Sequence, residues 1–475
     1  MKNKKLKIII NHAKIYGFIF KSSDIYNGIK SIYDYGPQGI LMKNNIKKFW
    51  WNYMVKYREN IVGIDSSILM NKNVWLASKH NKYFKDYYVN NKINNKIYIL
   101  NKFLKKILKK INYKKKIKKE IYYLLKKRKI KKLNIYLKKI IINNKIIKYF
   151  KWNKIKNFNL MFSTKLNTFN KKKKIYLRPE TAQGIYINVK NIKISNRLKI
   201  PFGIAQIGKS FRNEIISKQF IFRIKEFEQM EMQYFIFPGE EKKWYKYWIK
   251  ERLKWHLFLK LGKKKYKIKK HKKLSHYSTF ATDIEFKFFN KFKELEGIHF
   301  RKDYDLKNHI NLSKKNLYFY DIKNKKNYIP YIIETSLGLD RIFYSIFISS
   351  LKIKRINNKN RIYLKLPYFI SPYKIAILPL IKNKKIIKIA KNIYNKLKYI
   401  YNTIYDEKNS IGKRYKIQDS MGTPYCITID NNSIKKKIVT IRNRDNMKQI
   451  NYNIKYLNKF FKKKLNIISF FKKNI

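Results

Sequence analysis

The stretch 202–239, FGIAQIGKSFRNEIISKQFIFRIKEFEQMEMQYFIFPG, sets guanidinium, carboxylate and aromatic groups at regular spacings. The chain holds 100 Lys and only 14 Arg, yet Arg212 and Arg223 both fall here. A guanidinium offers a planar fork that matches phosphate and stacks on rings, whereas an ammonium is only a point charge. Apolar-rich runs flank the short segment 215–221, which predicts a long antiparallel hairpin. Side chains alternate along a strand. Gly208, Ser210, Arg212 and Glu214 then share one face of the first strand. Arg223, Lys225, Phe227, Gln229 and Glu231 share a face of the second. Two arginines, a ring and two carboxylates on one surface suit a bound charged ligand; the plainer alternative is a solvated strand laced with ion pairs.

Three further words carry candidate chemistry. In YLRPETAQG (176–184), Glu180 follows Arg178 and Pro179. By itself it reads as a structural ion pair in the core. In ELEG (294–297), Glu294 and Glu296 read as surface charges. In YIPYIIETSLGLDRIFYSIF (328–347), the run YIIE predicts a strand and Gly338 a tight entry into a helix. Leu339, Ile342, Phe343 and Ile346 form that helix's buried face, and Arg341 stands in its first turn.

FRNE at 211–214, followed by R-x-x-x-F-x-x-x-E at Arg223, Phe227 and Glu231, resembles motif 2 of the class II aminoacyl-tRNA synthetases. The words AQIGKSFRNE and FRIKEFEQMEM are similar in particular to dimeric glycyl-tRNA synthetase. The segment 328–347 resembles motif 3, and the region 12–90, with YDYGPQG and the helix-like LMKNNIKKFWWNYMV, resembles motif 1. The resemblance implies an α+β fold, a class II antiparallel sheet with flanking helices plus a C-terminal α/β anticodon-binding domain. It implies ATP and Mg²⁺, with tRNA(Gly) and glycine as substrates, and a homodimer. Arg212 and Arg341 would be catalytic. ATP would meet Arg212, Asn213, Glu214, Phe222, Arg223, Phe227, Glu294, Leu295, Gly338, Leu339, Asp340 and Arg341, with Arg341 stacked over adenine opposite Phe227 and Glu294 holding the metal. Glycine would be lined by Glu180, Phe227, Glu228, Gln229, Glu231, Glu334 and Ser336. A sister class II enzyme or a non-catalytic synthetase-like RNA- or polymerase-associated protein shares the fold. YDYGPQG, LRPETAQG and EFEQMEM point to glycine, and the presence of Arg212, Arg223 and Arg341 points to catalysis.

These residues must be positioned by a large core, for which 475 residues suffice. The expected organisation is a catalytic domain from 1–90 and 175–350, a lysine-rich insertion at 91–174 and an anticodon-binding domain at 365–475. Between Asp86 and Glu180 the only acidic residue is Glu120. That insertion reads as basic amphipathic helices, partly solvated and without a specific task, the alternative being phosphate contacts to the tRNA acceptor stem. The aromatic group Phe49, Trp50, Trp51 and Tyr53 and the stripe of 240–262 read as core. The formal net charge of +86 suits a polyanionic partner, although a lysine- and asparagine-rich composition throughout accounts for much of it. The single Cys426 leaves no disulfide framework and no cysteine zinc site. No run reaches the ~20 apolar residues of a membrane span. The N-terminal MKNKKLKIII lacks the length and cleavage site of a signal peptide, so a cytoplasmic, reducing location is expected.

Overall fold

The computed structural model describes residues 2–90, 97–101, 103, 104, 108, 115–126, 129–142, 154–168, 171–215, 220–271, 280–356 and 359–466. The chain divides into two compact units, one of Met1–Ser67, Glu180–Ser210 and Gln219–Ile475, the other of Ile68–Pro179 and Phe211–Lys218.

The first unit is organised on a seven-stranded sheet. Its strands in chain order are β1 (Ile61–Gly63), β2 (Phe202–Phe211), β3 (Glu226–Ile236), β4 (Tyr266–Lys270), β5 (Phe280–Phe288), β6 (Lys291–Lys302) and β7 (Tyr331–Gly338), arranged 4-5-6-7-3-2-1. The register of β3, β6 and β7 is antiparallel, while β1 joins β2 in parallel. One face of β3 presents Met230, Met232, Tyr234 and Ile236 to a core shared with Ile298, Phe300, Ile333 and Leu337. Helix α1 (Pro37–Trp51), helix α3 (Glu241–Phe258) and helix α5 (Leu339–Ser350) pack on this face through Phe49, Trp50, Trp248, Trp255, Ile342 and Phe343. Tyr53 is buried there too and Trp51 half-buried, so the aromatic group of 49–53 is core as expected. The other face of the sheet is apolar only at one end. There Phe202, Ile204, Phe235 and Ile332 meet Ala182, Ile185 and Tyr186 of helix α2 (Ala182–Ser195) and Leu306 of helix α4 (Tyr304–Ser313).

Residues after 365 build a five-stranded sheet from β8 (Ile375–Pro379), β9 (Thr403–Tyr405), β10 (Tyr425–Ile429), β11 (Ile438–Asn443) and β12 (Gln449–Asn453), in the order 9-8-10-11-12. It has its own core, including Ile375, Ile386, Ile393, Ile427, Ile441 and Phe461. The expected boundary near 365 does not separate compact units. His12 Nε2 lies 2.9 Å from the Ser420 carbonyl, and Asn45 Nδ2 donates to the Ser371 carbonyl at 2.8 Å. Burial holds the His12 pKa down to about 4 although that carbonyl raises it.

The second unit contains most of the lysine-rich insertion, and its described residues are packed. Helices Lys115–Lys126 and Ile130–Ile142 turn Ile121, Leu124, Leu133 and Leu137 onto Val89, Leu100 and Leu104. Spacings of three and four residues place those side chains on one helical face. The unit also begins earlier than expected, at Ile68, because Leu69–Met70 and Lys85–Asn90 are hydrogen-bonded into its two small sheets. The N-terminal part of the insertion between 91 and 96 and the segment 143–153 lie outside the described residues, as does the tail from 467.

Helix α1 enters with Gly36 at its N-cap and Pro37 in its first turn, where a missing N–H costs little. Gly39 lies against the preceding chain so closely that a Cβ would stand 1.9 Å from the Phe18 carbonyl oxygen. The three nearest atoms are all backbone of Phe18, so no flexible side chain is there to yield. Gly39→Ala is therefore expected to destabilise the protein by about 1–3 kcal/mol, read as a lowered urea midpoint; an unchanged midpoint would contradict this packing.

Candidate active site

Strand parity and register build the first half of the site. On β3, Gln229, Glu231 and Gln233 alternate onto the face opposite the large core. They pair with Gly338, Ser336 and Glu334 of β7, and Glu334 pairs in turn with His299 of β6. Glu231 is 2% exposed and Glu334 4%. Glu231 accepts hydrogen bonds from Ser336 Oγ at 2.5 Å, Gln229 Nε2 at 2.8 Å and the Thr181 backbone N–H at 3.2 Å, and also from the Thr181 hydroxyl. None of these donors is charged. Glu334 instead receives Arg301 Nη1 at 3.1 Å, His299 Nδ1 at 2.9 Å and Gln233 Nε2 at 3.2 Å. Arg301 is held from its other side by Asp305 at 2.7 and 2.9 Å. Glu180 is half-buried and receives Gln183 Nε2 at 3.0 Å, and Gln183 is fixed by Asp305 and His309.

The two buried glutamates are thus electrostatically unlike. Burial pushes the Glu231 carboxyl up to about 7, aided by the negative charges of Glu334 and Glu180 and only partly opposed by its hydroxyl donors. Burial pushes Glu334 the same way, but the Arg301 guanidinium and the His299 hydrogen bond outweigh it and hold its carboxyl at about 2. His299 in turn sits above its ordinary value; burial lowers it, and Glu334 more than compensates. Among the described residues Arg301 and His299 are both bonded to Glu334, and no cation pairs with Glu231.

The second half of the site gathers Phe222, Glu294 and Arg341. Phe222 closes a short 3₁₀ turn, Phe220–Phe222, just before β3. The Arg341 guanidinium lies 4.9 Å from the Phe222 ring centre, and the Lys293 ammonium 4.4 Å from it. Arg341 Nη1 also lies 3.3 Å from Glu294 Oε2 and 3.3 Å from the Glu294 carbonyl oxygen. The ring against Arg341 is Phe222; Phe227, expected on the far side of adenine from Arg341, is half-buried at the edge of the core. A β-bulge explains why Glu294 is here. Ile284 pairs with Glu296 but Glu285 with Glu294, so Leu295 is extra. Leu295 and Glu296 both turn to the core, and Glu294 turns to the opposite face. Glu296, expected at the surface, is 1% exposed and bound by Arg252 at 2.6 Å and His256 at 2.7 Å.

Other expected ligand residues occupy different places. Glu228 has the opposite parity to Gln229 and Glu231, so it is not brought to the carboxylate pocket. It pairs with Lys43 at 2.5 Å and Lys47 at 2.7 Å, which outweigh burial and lower its pKa. Asp340 is buried, accepting from the Tyr35 hydroxyl at 2.5 Å and the Glu228 backbone N–H at 3.0 Å. The Leu295 and Leu339 side chains are core, so only their backbone can meet a ligand. Gly338 is the N-cap of α5. The expected shared face of Ser210, Arg212 and Glu214 does not extend past Phe211, where β2 ends. Beyond it the backbone N–H groups of Phe211 and Asn213 go to the carbonyls of Arg178 and Leu160, and that of Glu214 to the Arg212 carbonyl. In this second unit Arg212 Nε donates to the Pro179 carbonyl at 2.9 Å, with its guanidinium 5.4 Å from the Phe84 ring. Arg223 and Lys225 likewise precede β3, so alternation along that strand does not place them.

The sequence reading missed Thr181, Gln183, Gln233, His299, Arg301 and Asp305. Gln233 continues the parity of Gln229 and Glu231, and Arg301 is another rare arginine; both were findable. His299 and Asp305 join the pocket only through the tertiary register. Glu294, with Glu285 opposite it in register, supplies carboxylate oxygens of the kind Mg²⁺ takes alongside phosphate. Among the described residues no group of three or more His, Cys, Asp or Glu forms a closed metal cage.

This antiparallel sheet, with arginine, ring and carboxylates on β3, β6, β7 and the start of α5, is the core of a class II aminoacyl-tRNA synthetase. Residues 162–350 match the family model "tRNA synthetase class II core domain (G, H, P, S and T)", and 374–464 match "Anticodon binding domain". The chain is 41% identical over 452 residues to a glycine–tRNA ligase of Borreliella afzelii, covering 94% of each. It is 40% identical over 473 residues to that of Caldanaerobacter subterraneus (96% of this chain, 98% of the relative) and 41% identical over 465 to that of Ruminiclostridium cellulolyticum (97% and 98%). The chain belongs to the glycine–tRNA ligase family.

The raised Glu231 pKa has a consequence for stability. A carboxyl lifted from 4.5 to about 7 on folding contributes stability that is complete below pH 4.5 and lost as pH rises through 7. Glu231→Gln is expected to stabilise the protein at pH 8 by on the order of 3 kcal/mol, read as a raised urea midpoint, and to change the midpoint little at pH 4.5. Equal effects at the two pH values would show that the buried charge is not the cause.

Proposed function

We infer that the protein activates glycine with ATP to glycyl-adenylate and transfers the glycyl group to the 3′ end of tRNA(Gly). The observation that carries this reading is the buried pair Glu231 and Glu334 beside Ser336, of which only Glu334 has a cation, with Arg341 in the first turn of the helix that follows β7. An α-ammonium group supplies the missing positive charge, and its arrival favours ionised Glu231. Glycine has no side chain to grip, so selection rests on exclusion by a filled pocket; a missing methylene in itself discriminates by only ~1–3 kcal/mol.

In the first step a glycine carboxylate oxygen forms a bond to the α-phosphorus and the bond to the β-phosphate bridging oxygen breaks, releasing pyrophosphate. In the second the 3′-hydroxyl of the terminal adenosine of tRNA attacks the glycyl carbonyl, and AMP leaves with the P–O bond intact. No side-chain nucleophile is required; positioning and charge stabilisation suffice. Arg212 holds the α-phosphate and the incoming carboxylate, with Asn213 and Glu214 beside it in sequence. Arg223 takes the γ-phosphate. Arg341 stacks on adenine, with Phe222 behind its guanidinium and Phe227 opposite. Glu294, with Glu285, would hold Mg²⁺, which when bound would offset phosphate charge. The C-terminal sheet takes the anticodon of tRNA, and the protein works as a cytoplasmic homodimer. Among the described residues no helix is long and apolar enough to cross a membrane.

Exchange of labelled pyrophosphate into ATP, run with each of twenty amino acids and no tRNA, is expected with glycine alone. Equal exchange with alanine would overturn the exclusion argument. Exchange with another amino acid only would make the enzyme a sister synthetase, and none at all, with or without tRNA, would favour a non-catalytic RNA-binding role. Arg212→Ala is expected to slow the glycine-dependent exchange about 10²-fold or more, with rapid exchange by that variant removing Arg212 from the chemical step.

A further inference from the structure

Tyr35 ends the short strand Tyr33–Tyr35 that leads into α1, and it makes two contacts with helix α5. Its hydroxyl donates to Asp340 Oδ1 at 2.5 Å, and its ring meets Phe343 edge-on with 5.1 Å between centres. Asp340 is 3% exposed and stands in the first turn of α5, next to Arg341. Its second oxygen accepts from the Glu228 backbone N–H at 3.0 Å. That N–H belongs to the peptide bond joining Phe227 to Glu228. One buried carboxylate therefore ties the turn that bears Arg341 to the strand segment that bears Phe227. Helix α1 fixes the same place. Lys43 Nζ lies 4.1 Å from the Tyr35 ring centre and 2.5 Å from a Glu228 carboxylate oxygen, and Lys47 joins Glu228 at 2.7 Å.

Among the described residues the hydrogen-bond donors to Asp340 are uncharged, one a hydroxyl and one a backbone N–H. Burial pushes its carboxyl above the ordinary value, against the pull of Lys43 and of those two donors. A buried carboxylate that loses a donor keeps an uncompensated oxygen, and a shift of the side chain with its turn relieves that. Arg341 sits on that turn. The attraction between a guanidinium and a π-face fades beyond about 6 Å, so a slot that widens loses it. We propose that Tyr35 is a positioning residue for ATP, acting through Asp340 to set the gap between Arg341 and Phe227 without touching the nucleotide. The proposal rests on the reading that adenine lies between those two side chains.

Tyr35→Phe keeps the ring against Phe343 and removes only the hydroxyl. In glycine-dependent pyrophosphate exchange by the full chain, KM for ATP is expected to rise about five- to tenfold and KM for glycine less than about twofold. Glu231 stands on β3 and Ser336 on β7, so a general loosening of these strands would raise both constants together. Inorganic tripolyphosphate, which lacks the base, is expected to inhibit parent and variant with the same constant. An unchanged KM for ATP would overturn the proposal, as would a rise shared equally by glycine or by tripolyphosphate. A parent that exchanges no pyrophosphate with glycine would refute the proposed activity instead. Calorimetric titration with the α,β-methylene analogue of ATP then decides: weaker binding by the variant supports the role of Tyr35 and equal binding removes it. The urea midpoint of the variant checks that it folds.

Discussion

Two glutamates stand on one face of the central sheet where water is nearly excluded, and only one of them has a cation. Glu334 is neutralised by Arg301 and His299, whereas Glu231 is held by hydroxyl, amide and backbone donors alone. A buried unpaired carboxylate is costly. Much of the surrounding structure keeps that cost in place. Asp305 fixes Arg301 so that it cannot swing to Glu231, Gln183 ties Glu180 to Asp305, and His309 orients Gln183. The deficit of positive charge is then a property of the folded protein, ready for a ligand that carries an ammonium group.

The opposite face of the sheet shows how the site is kept rigid. Asp340 accepts from Tyr35, ahead of α1, and from the backbone of Glu228, while Glu228 pairs with Lys43 and Lys47 of α1. These contacts join the three family motifs below the ligand surface. Residues that the family resemblance places near ATP, Asp340 and Leu339 among them, contribute by holding the backbone in position. A supporting shell locked by packing and hydrogen bonds is what a preorganised site requires.

The charge of +86 opposes compaction. The second unit shows how a lysine-rich segment nevertheless folds. Ile121, Leu124, Leu133 and Leu137 turn to the buried side of its helices, while Lys119, Lys131, Lys132 and Lys138 are exposed.

The sequence by itself determined the hairpin words, the order of the motifs and the alternation that sets Gln229, Glu231, Ser336 and Glu334 on one face. Those features depend on local geometry and on spacings of two residues. It also determined the amphipathic face of α5 and the core role of Phe49, Trp50 and Tyr53. Only the tertiary structure decided which carboxylate is neutralised, because Arg301, His299 and Asp305 reach Glu334 through strand register and a helix packed over it. Only the tertiary structure decided where Glu294 and Glu296 point. An extra residue at Leu295 breaks the alternation, and a bulge is fixed by the pairing partner rather than by the strand that contains it. The end of β2 at Phe211 has the same origin, since the hydrogen-bond partners of Phe211 and Asn213 lie more than thirty residues away in the chain.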